Sequence, residues 1–208
     1  MLSCRTDPQN FDRYCRSCNR CNSESKGIYL FQEDLSASEW LVRELKNLVR
    51  ERTPYSCADP EVYKNPDIRV LDKDGRLVCR IEAKVLDGKP FMKVHDLLKD
   101  SGLYPKETIV VDLPKLNHYI DRWREDGIVP TYLVWYLGRP CDDVGGITIF
   151  QDLAVLYKIM QEQGDKRSFK RSCGNGDMVD GRQLGITSKY HFSISECRPI
   201  EELWGLIV

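Results

Sequence analysis

The stretch that decides the fold is Asn65-Pro66-Asp67-Ile68-Arg69-Val70-Leu71-Asp72-Lys73-Asp74-Gly75-Arg76-Leu77-Val78-Cys79-Arg80-Ile81-Glu82-Ala83-Lys84-Val85. Its pattern predicts a β-hairpin with a short apolar strand at 68–71 and a return strand at 77–85. The four residues 72–75 between them favour a turn, because Asp and Gly tolerate the left-handed backbone that a tight reversal needs. The hairpin is the element from which the rest of the chain can be interpreted.

The return strand has one apolar and one charged face, since side chains alternate along a strand. The apolar face carries Cys79, Ile81, Ala83 and Val85, and the charged face carries Arg80, Glu82 and Lys84. Asp67 stands at the open end of the hairpin, roughly opposite Glu82 and Lys84. Two carboxylates and one ammonium are therefore expected to converge. Paired carboxylates bind Mg²⁺ through hard oxygen ligands, and a metal beside a lysine can activate water.

Pro66-Asp67, fourteen intervening residues and Glu82-Ala83-Lys84 resemble the motif of the PD-(D/E)XK nuclease superfamily. The resemblance implies an α/β fold with a mixed central sheet flanked by helices, the restriction-endonuclease-like fold. It also implies an endonuclease that hydrolyses phosphodiester bonds, most commonly in DNA, and leaves 5′-phosphates. The alternative for the same residues is a surface hairpin whose charged face is simply solvated.

The resemblance also implies roles for individual residues. Asp67 and Glu82 would bind Mg²⁺ or Mn²⁺, with the carbonyl of Ala83 as a third ligand, and Lys84 would orient the attacking water or neutralise charge. Many members of the superfamily act as dimers, so a homodimer is expected by analogy.

A helix is predicted from about Ser36 to Arg52, ahead of the hairpin. Ser36 and Glu39 match a capping box, and apolar residues recur at helical spacing after them. Members of the superfamily often place a metal-site glutamate on this helix. Glu39 is the first choice for that role although it could instead cap the helix, and Glu44 is the competitor although it could instead form a surface ion pair.

Residues 1–27 are interpreted as a small cysteine-rich metal-binding head, and residues 28–208 as the nuclease domain. The head contains Cys4, Cys15, Cys18 and Cys21. Thiolates two residues apart can bind one ion, and four of them complete a tetrahedron. Structural Zn²⁺ is the first choice and a [4Fe–4S] cluster is the second, while four free thiols in a flexible tail are the alternative.

The composition sets outer limits on function. The 208 residues include 31 Lys and Arg against 32 Asp and Glu, a formal charge of −1, so any nucleic-acid surface must be local. No apolar run approaches the length that spans a bilayer, and the N-terminus lacks the apolar core of a signal peptide. We therefore expect a cytoplasmic protein that does not bind membranes.

The rest of the chain alternates predicted strands and helices, as a mixed α/β sheet requires. Helices are predicted at 90–99, 115–124, 152–163 and 200–206, and strands at 108–113, 131–137, 146–150 and 190–194. Residues 164–185 read as a flexible, glycine-rich loop whose basic residues are Lys166, Arg167, Lys170 and Arg171. That loop either grips nucleic acid or is a disordered surface connection. His118 and His191 have no partner at zinc-site spacing and are interpreted as ordinary residues.

Two other functions remain open. The first is a non-catalytic nucleic-acid-binding module that keeps the fold without turnover, although such a module has no need for the Asp67, Glu82 and Lys84 set. The second is a nuclease-fold domain that an N-terminal Fe–S cluster regulates.

Overall fold

The structure is a computed structural model that describes residues 2–4, 7–11, 13, 31–62, 65–88, 90–141, 143–172, 178–179, 182–183 and 186–207. Within 31–35 and 171–187 it describes the backbone only. No helix of these ranges is both long and apolar enough to cross a membrane.

Helices and strands alternate along the described chain. The helices are α1 Phe31–Arg52, α2 Val94–Leu97, α3 Leu113–Glu125, α4 Leu153–Gln163 and α5 Trp204–Ile207. The strands are β1 Ser56–Ala58, β2 Ile68–Leu71, β3 Leu77–Val85, β4 Thr108–Asp112, β5 Thr131–Leu137, β6 Ile147–Asp152, β7 Ser168–Ser172, β8 Met178–Val179, β9 Arg182–Gln183, β10 Ile186–Ser193 and β11 Arg198–Pro199. Short 3-10 turns precede β4, β7, β11 and α5.

A mixed central sheet organises the domain. Among the described strands its order is β1-β2-β3-β5-β6-β11, with β3 and β5 parallel and the other neighbours antiparallel. Parallel neighbours cannot be joined by a tight turn, so β3 and β5 are linked by a long crossover segment that includes α3. The predicted mixed α/β fold with flanking helices is therefore confirmed in outline.

The two faces of the central sheet are covered by different elements. One face packs against α1 and the C-terminal turns, with Leu41, Ile81, Val134 and Leu203 in its core. The other face packs against α3, α4 and a second sheet, with Leu133 and Trp135 of the same strand β5 in its core. Alternating residues of β5 thus serve opposite cores, as a strand buried on both sides requires.

The second sheet was not foreseen. Strands β4, β10 and β7 form it, all antiparallel, in that order. The predicted strand at 108–113 is thus real but belongs to this smaller sheet, and Leu113 already begins α3. Its central strand β10 pairs with β4, which lies far from it in the chain, so the local sequence pattern does not predict this pairing.

Two helix predictions were wrong in extent. The first helix begins at Phe31, so Ser36 is an interior residue and cannot be its N-cap. The segment 90–99 contains only the single turn Val94–Leu97, where Val94 is buried and Leu97 is exposed. Pro90 and Gly88 leave too little periodic sequence for a longer helix, since an isolated turn gains few hydrogen bonds.

The basic segment after α4 is also more ordered than predicted. Gly164–Arg167 is a 3-10 turn, and Ser168–Ser172 is strand β7, paired with β10. The interpretation of 164–172 as a flexible loop was therefore wrong, because these backbone groups complete the second sheet.

The described N-terminal residues 2–4, 7–11 and 13, here called the N-terminal strap, pack onto the domain. Leu2 is buried in the α1-side core, and the carbonyl of Ser3 accepts a hydrogen bond from Thr148 N at 3.0 Å. At the other end Arg13 forms a bidentate ion pair with the fully buried carboxylate of Glu107, at 2.7 Å for both contacts. A boundary at residue 27 stays a prediction.

Candidate active site

The hairpin places Asp67 beside Glu82. Strand β2 pairs with β3 through Ile68 and Ile81, so the residue before Ile68 faces the residue after Ile81. The turn closes through Gly75 N to Asp72 O at 3.1 Å, with Gly75 at φ +77°, which suits glycine. Asp67 Oδ2 then accepts a hydrogen bond from the backbone N–H of Ala83 at 2.9 Å. The predicted convergence of the two carboxylates is therefore present in the described structure.

Glu82 is buried and paired with a lysine that sequence reasoning missed. The residue is 1% exposed, and its Oε1 accepts a hydrogen bond from Lys115 Nζ at 2.7 Å. Lys115 lies in the first turn of α3, which starts directly after β4. An ammonium at this position offsets much of the cost of burying a carboxylate.

One face of α3 carries a row of polar side chains toward the hairpin. The row consists of Lys115, His118, Tyr119 and Arg122, at the three- and four-residue spacing that puts helical side chains on one face. Lys115 pairs with Glu82, His118 contacts Asn65, and Arg122 pairs with Asp126 and Glu61. Tyr119 is close enough for the charge of Glu82 to raise its pKa. The row thus contacts Glu82 of β3 and the segment that precedes β2.

Lys84 forms an ion pair with Asp112, the residue that directly precedes α3. Its Nζ lies 3.6 Å from Asp112 Oδ2, and Lys189 Nζ of β10 lies 3.3 Å from Asp112 Oδ1. Burial alone raises the pKa of Asp112, but Lys84 and Lys189 outweigh this effect and hold the pKa below its usual value. Asp112 is the last residue of β4, so the second sheet supplies the carboxylate that holds Lys84.

The surroundings of Asp67 disfavour its charge. Burial, followed by the negative charge of Glu82, raises the pKa of Asp67 from 3.8 to about 7. Burial by itself lowers the pKa of Lys115, but Glu82 outweighs burial and holds that pKa above its usual value. With a pKa of about 7, Asp67 is close to the midpoint of its titration at neutral pH, and a nearby positive charge would favour its ionised form.

Two buried polar atoms at this place have no hydrogen-bond partner among the described residues: Glu82 Oε2 and the hydroxyl of Tyr119. Burial and the negative charge of Glu82 raise the pKa of Tyr119, so its hydroxyl stays protonated and can donate. An unpaired buried polar atom costs about 1–3 kcal/mol, so both atoms are suited to a ligand that satisfies them.

The described ranges contain no group of three or more His, Cys, Asp and Glu side chains arranged to hold a metal ion. The candidate donors are the carboxylates of Asp67 and Glu82, and Oε2 of Glu82 has no hydrogen-bond partner among the described residues. These hard oxygen donors suit Mg²⁺ or Mn²⁺.

Neither predicted helix glutamate is shown at the site. Glu39 is exposed on α1 and Glu44 is half-buried. Helix α1 packs on the Ile81 face of the sheet, whereas Glu82 points to the opposite face, toward α3. The choice between Glu39 and Glu44 as a further ligand stays a prediction.

The predicted nucleic-acid-binding residues divide into different environments. Lys166 and Lys170 are exposed, and the side chain of Arg171 lies outside the described part. Arg167 is buried, and one of its nitrogens donates to both oxygens of Glu196 at 2.7 and 2.8 Å. A buried guanidinium paired with a carboxylate is a structural anchor, so Arg167 does not fit the predicted contact with nucleic acid.

Most of the cysteine head lies outside the described residues, including Cys15, Cys18 and Cys21. Cys4 is described: it is half-buried and packs at the edge of the core on the α3 and α4 face of the central sheet. Its backbone N–H donates to Glu201 Oε1 at 2.9 Å. The four-cysteine metal site stays a prediction.

Lys115, Tyr119 and Asp112 are the residues that sequence reasoning missed. Some signal was present in hindsight, because Asp112 interrupts an apolar strand and Lys115 precedes Tyr119 by four residues on an amphipathic helix. What no local pattern shows is that this helix packs on the charged face of β3.

Comparison with known proteins gives a limited result. No protein-family model matches the chain, and no curated protein matches it. Among solved structures, the chain is similar to Hjc, a Holliday junction resolvase from the archaeal hyperthermophile Archaeoglobus fulgidus, with 13% sequence identity and a TM-score of 0.42. The match covers 81% of this chain and 96% of that chain. A similarity at this level assigns no role to any residue here.

Proposed function

We propose that this chain is a divalent-metal-dependent nuclease that hydrolyses phosphodiester bonds, with DNA as its substrate. One observation carries the proposal: the hairpin brings Asp67 and Glu82 together, Lys115 pairs with Glu82, and Lys84 is held by Asp112. Burial and the charge of Glu82 raise the pKa of Asp67 to about 7. Strongly shifted pKa values of this kind are typical of functional sites.

The residues present fit a divalent cation. The unpartnered Oε2 of Glu82 offers a donor, Asp67 offers a second, and the main-chain carbonyl of Ala83 would be a third. When bound there, Mg²⁺ or Mn²⁺ supplies Lewis-acid activation of a water and neutralises charge on the phosphate.

The side chains of this chain would do the rest. Lys84, held by Asp112, would orient the attacking water and stabilise the developing negative charge on the phosphate. Tyr119 can donate a hydrogen bond from its buried hydroxyl to an oxygen in the site. The water oxygen bonds to phosphorus while the bond to the 3′ oxygen breaks. The proton that the water loses is matched by the proton that the 3′ oxygen gains, which leaves a 5′-phosphate and a 3′-hydroxyl.

A cleavage panel tests the proposal. Supercoiled plasmid, linear duplex, single-stranded and branched DNA, with an RNA counterpart, are incubated with the purified chain and Mg²⁺, Mn²⁺ or a chelator. We expect metal-dependent cleavage that Asp67→Ala and Lys84→Ala abolish while both variants remain folded by circular dichroism.

Matched control variants come from the turn of the same hairpin. Asp74→Ala and Lys73→Ala remove exposed residues of the same two types, so both should cleave like the unmodified chain. Equal residual cleavage in the site variants and the control variants would overturn the assignment. Gel filtration with and without DNA tests the expected homodimer.

A second candidate is a non-catalytic nucleic-acid-binding module. The ion pair between Lys115 and Glu82 favours it, since an internal ammonium can replace a metal as the partner of the buried carboxylate. Metal-independent binding to DNA with no cleavage of any substrate in the panel would select this candidate.

We propose further that Cys4, Cys15, Cys18 and Cys21 hold one Zn²⁺, with [4Fe–4S] as the alternative. The support is their spacing in the sequence. Elemental analysis should find about one zinc per chain, lost on replacing Cys15 and Cys18, whereas a brown protein would indicate the cluster.

A further inference from the structure

A histidine outside the carboxylate and lysine cluster contacts the segment that carries Asp67. The Nε2 atom of His118 lies 3.2 Å from Oδ1 of Asn65. Because the amide oxygen can only accept, the contact requires the proton on Nε2, and the imidazole donates. His118 belongs to the same polar face of α3 as Lys115, which holds Glu82.

Asn65 and Asp67 are separated by a single residue, Pro66. Both Asn65 and Pro66 are buried, and Asn65 N donates to Val62 O at 2.9 Å. Proline fixes its own φ and restricts the residue before it, so the two-residue step to Asp67 has little freedom. A restraint on Asn65 therefore also limits where the backbone of Asp67 can lie.

The Asp67 carboxylate has one described anchor of its own, the hydrogen bond from Ala83 N. It is not part of a regular strand pairing, since β2 begins one residue later at Ile68. With this one described hydrogen bond, the position of the Asp67 carboxylate also depends on how firmly its own backbone is held.

We propose that His118 is a positioning residue that holds Asp67 next to Glu82 by binding Asn65. The inference rests on the proposed function for its catalytic consequence, but its structural part stands separately. Helix α3 would thus fix the positions of both carboxylates. Lys115 binds Glu82 directly, and His118 restrains Asp67 by binding Asn65. The distance between the two carboxylates is then fixed by one rigid helix.

Hydrogen exchange of the Ala83 amide, followed by NMR, tests the structural part without any activity. This amide is protected by the Asp67 side chain, whereas the amide of Arg80 is protected by the backbone carbonyl of Pro130. We expect His118→Ala and Asn65→Ala each to speed exchange at Ala83 by roughly 10-fold and to leave Arg80 unchanged.

Three further variants sharpen the test. His118→Gln keeps a side-chain N–H donor and should restore slow exchange at Ala83. Asn117→Ala removes the exposed neighbour on the same helix and should change nothing. The double variant lacking both His118 and Asn65 should match either single variant, because the two side chains act as one contact.

The catalytic part is measured on the same proteins. His118→Ala should lower kcat by roughly 10-fold and raise the Mg²⁺ concentration for half-maximal cleavage, with KM for DNA little changed and recovery in His118→Gln. Unchanged exchange at Ala83 in His118→Ala overturns the inference whether or not the chain cleaves DNA. Faster exchange in a chain that cleaves nothing supports the positioning role and refutes the proposed nuclease.

Discussion

Lys115 Nζ donates a hydrogen bond to Glu82 Oε1 across 2.7 Å, from the first turn of a helix to the middle of a buried strand. The carboxylate it holds is 1% exposed, and its second oxygen has no partner among the described residues. One oxygen of this buried carboxylate is therefore paired with the ammonium, and the other can still accept a ligand.

Replacing Lys115 by methionine keeps the aliphatic stem and removes the charge. Glu82 then lacks a cation, which should lower the stability of the metal-free chain by about 1–3 kcal/mol. This is less than the loss of a fully buried ion pair would cause, because the Lys115 side chain is 38% exposed. That loss corresponds to a fall in Tm of roughly 2–12 °C for a domain of this size. Millimolar Mg²⁺ should restore part of it, because a divalent cation becomes the partner of Glu82.

Thermal unfolding with Mg²⁺ and with chelator measures this effect. Lys158→Met is the control, since the Lys158 side chain is 77% exposed in an i,i+4 pair with Glu162. If Mg²⁺ raises Tm no more for Lys115→Met than for the unmodified chain, the free Glu82 oxygen is not a metal donor.

Arg13 ties the N-terminal strap to the second sheet. Its guanidinium meets the Glu107 carboxylate, which is fully buried and also accepts from Ser193 Oγ at 2.7 Å. Arg13→Ala leaves that carboxylate without its cation and should cost about 2 kcal/mol, or roughly 4–8 °C in Tm. Glu107→Gln in the same chain should recover part of the loss, because a neutral amide is cheaper to bury.

Arg76→Ala is the comparison for Arg13→Ala. Arg76 pairs with Asp74 at 3.3 Å in an exposed turn, where an ion pair contributes little. A Tm drop of equal size in both variants would mean that the Arg13 contact does not stabilise the fold.

His191 should make the fold sensitive to acid. It is buried against Phe91 with Nδ1 bonded to the carbonyl of Arg167, and burial lowers its pKa from 6.5 to about 4. Between those pH values the unfolded chain binds a proton that the native chain does not. Stability present above about pH 6.5 is therefore lost as pH falls, by about 3 kcal/mol at pH 4 from this residue.

Urea unfolding at several pH values isolates the contribution of His191. His191→Gln should flatten the decline of stability between pH 6.5 and 4, whereas His95→Gln, which removes an exposed imidazole, should leave the slope unchanged. An identical pH slope in the unmodified chain and in His191→Gln would contradict the burial of a neutral imidazole.

The hairpin could be predicted from sequence because its signals are local. Strict alternation over 77–85 fixes which residues share a face, and the Asp-Gly turn fixes the register that puts Asp67 beside Glu82. Both strand boundaries and the two faces of β3 are confirmed. The carboxylate pair followed from the same two local rules.

The residues that complete the cluster could not be predicted in this way, because they arrive through packing. Asp112 and Lys189 meet in the second sheet, where strands about 80 residues apart in the chain pair with one another. Lys115 reaches Glu82 only after α3 has crossed the sheet. The start of α1 was misjudged for a related reason: a serine that could cap a helix is also tolerated inside one.

The N-terminal strap meets residues from the opposite end of the chain. Leu2 packs in the same core as Ile207, the N–H of Cys4 donates to Glu201, and Gln9 Nε2 donates to the carbonyl of Cys197 at 3.2 Å. On a ribosome these first residues leave the exit tunnel long before their partners exist. The strap can therefore dock only after nearly the whole domain has been translated. Its docking is a late step of folding and not part of the folding nucleus.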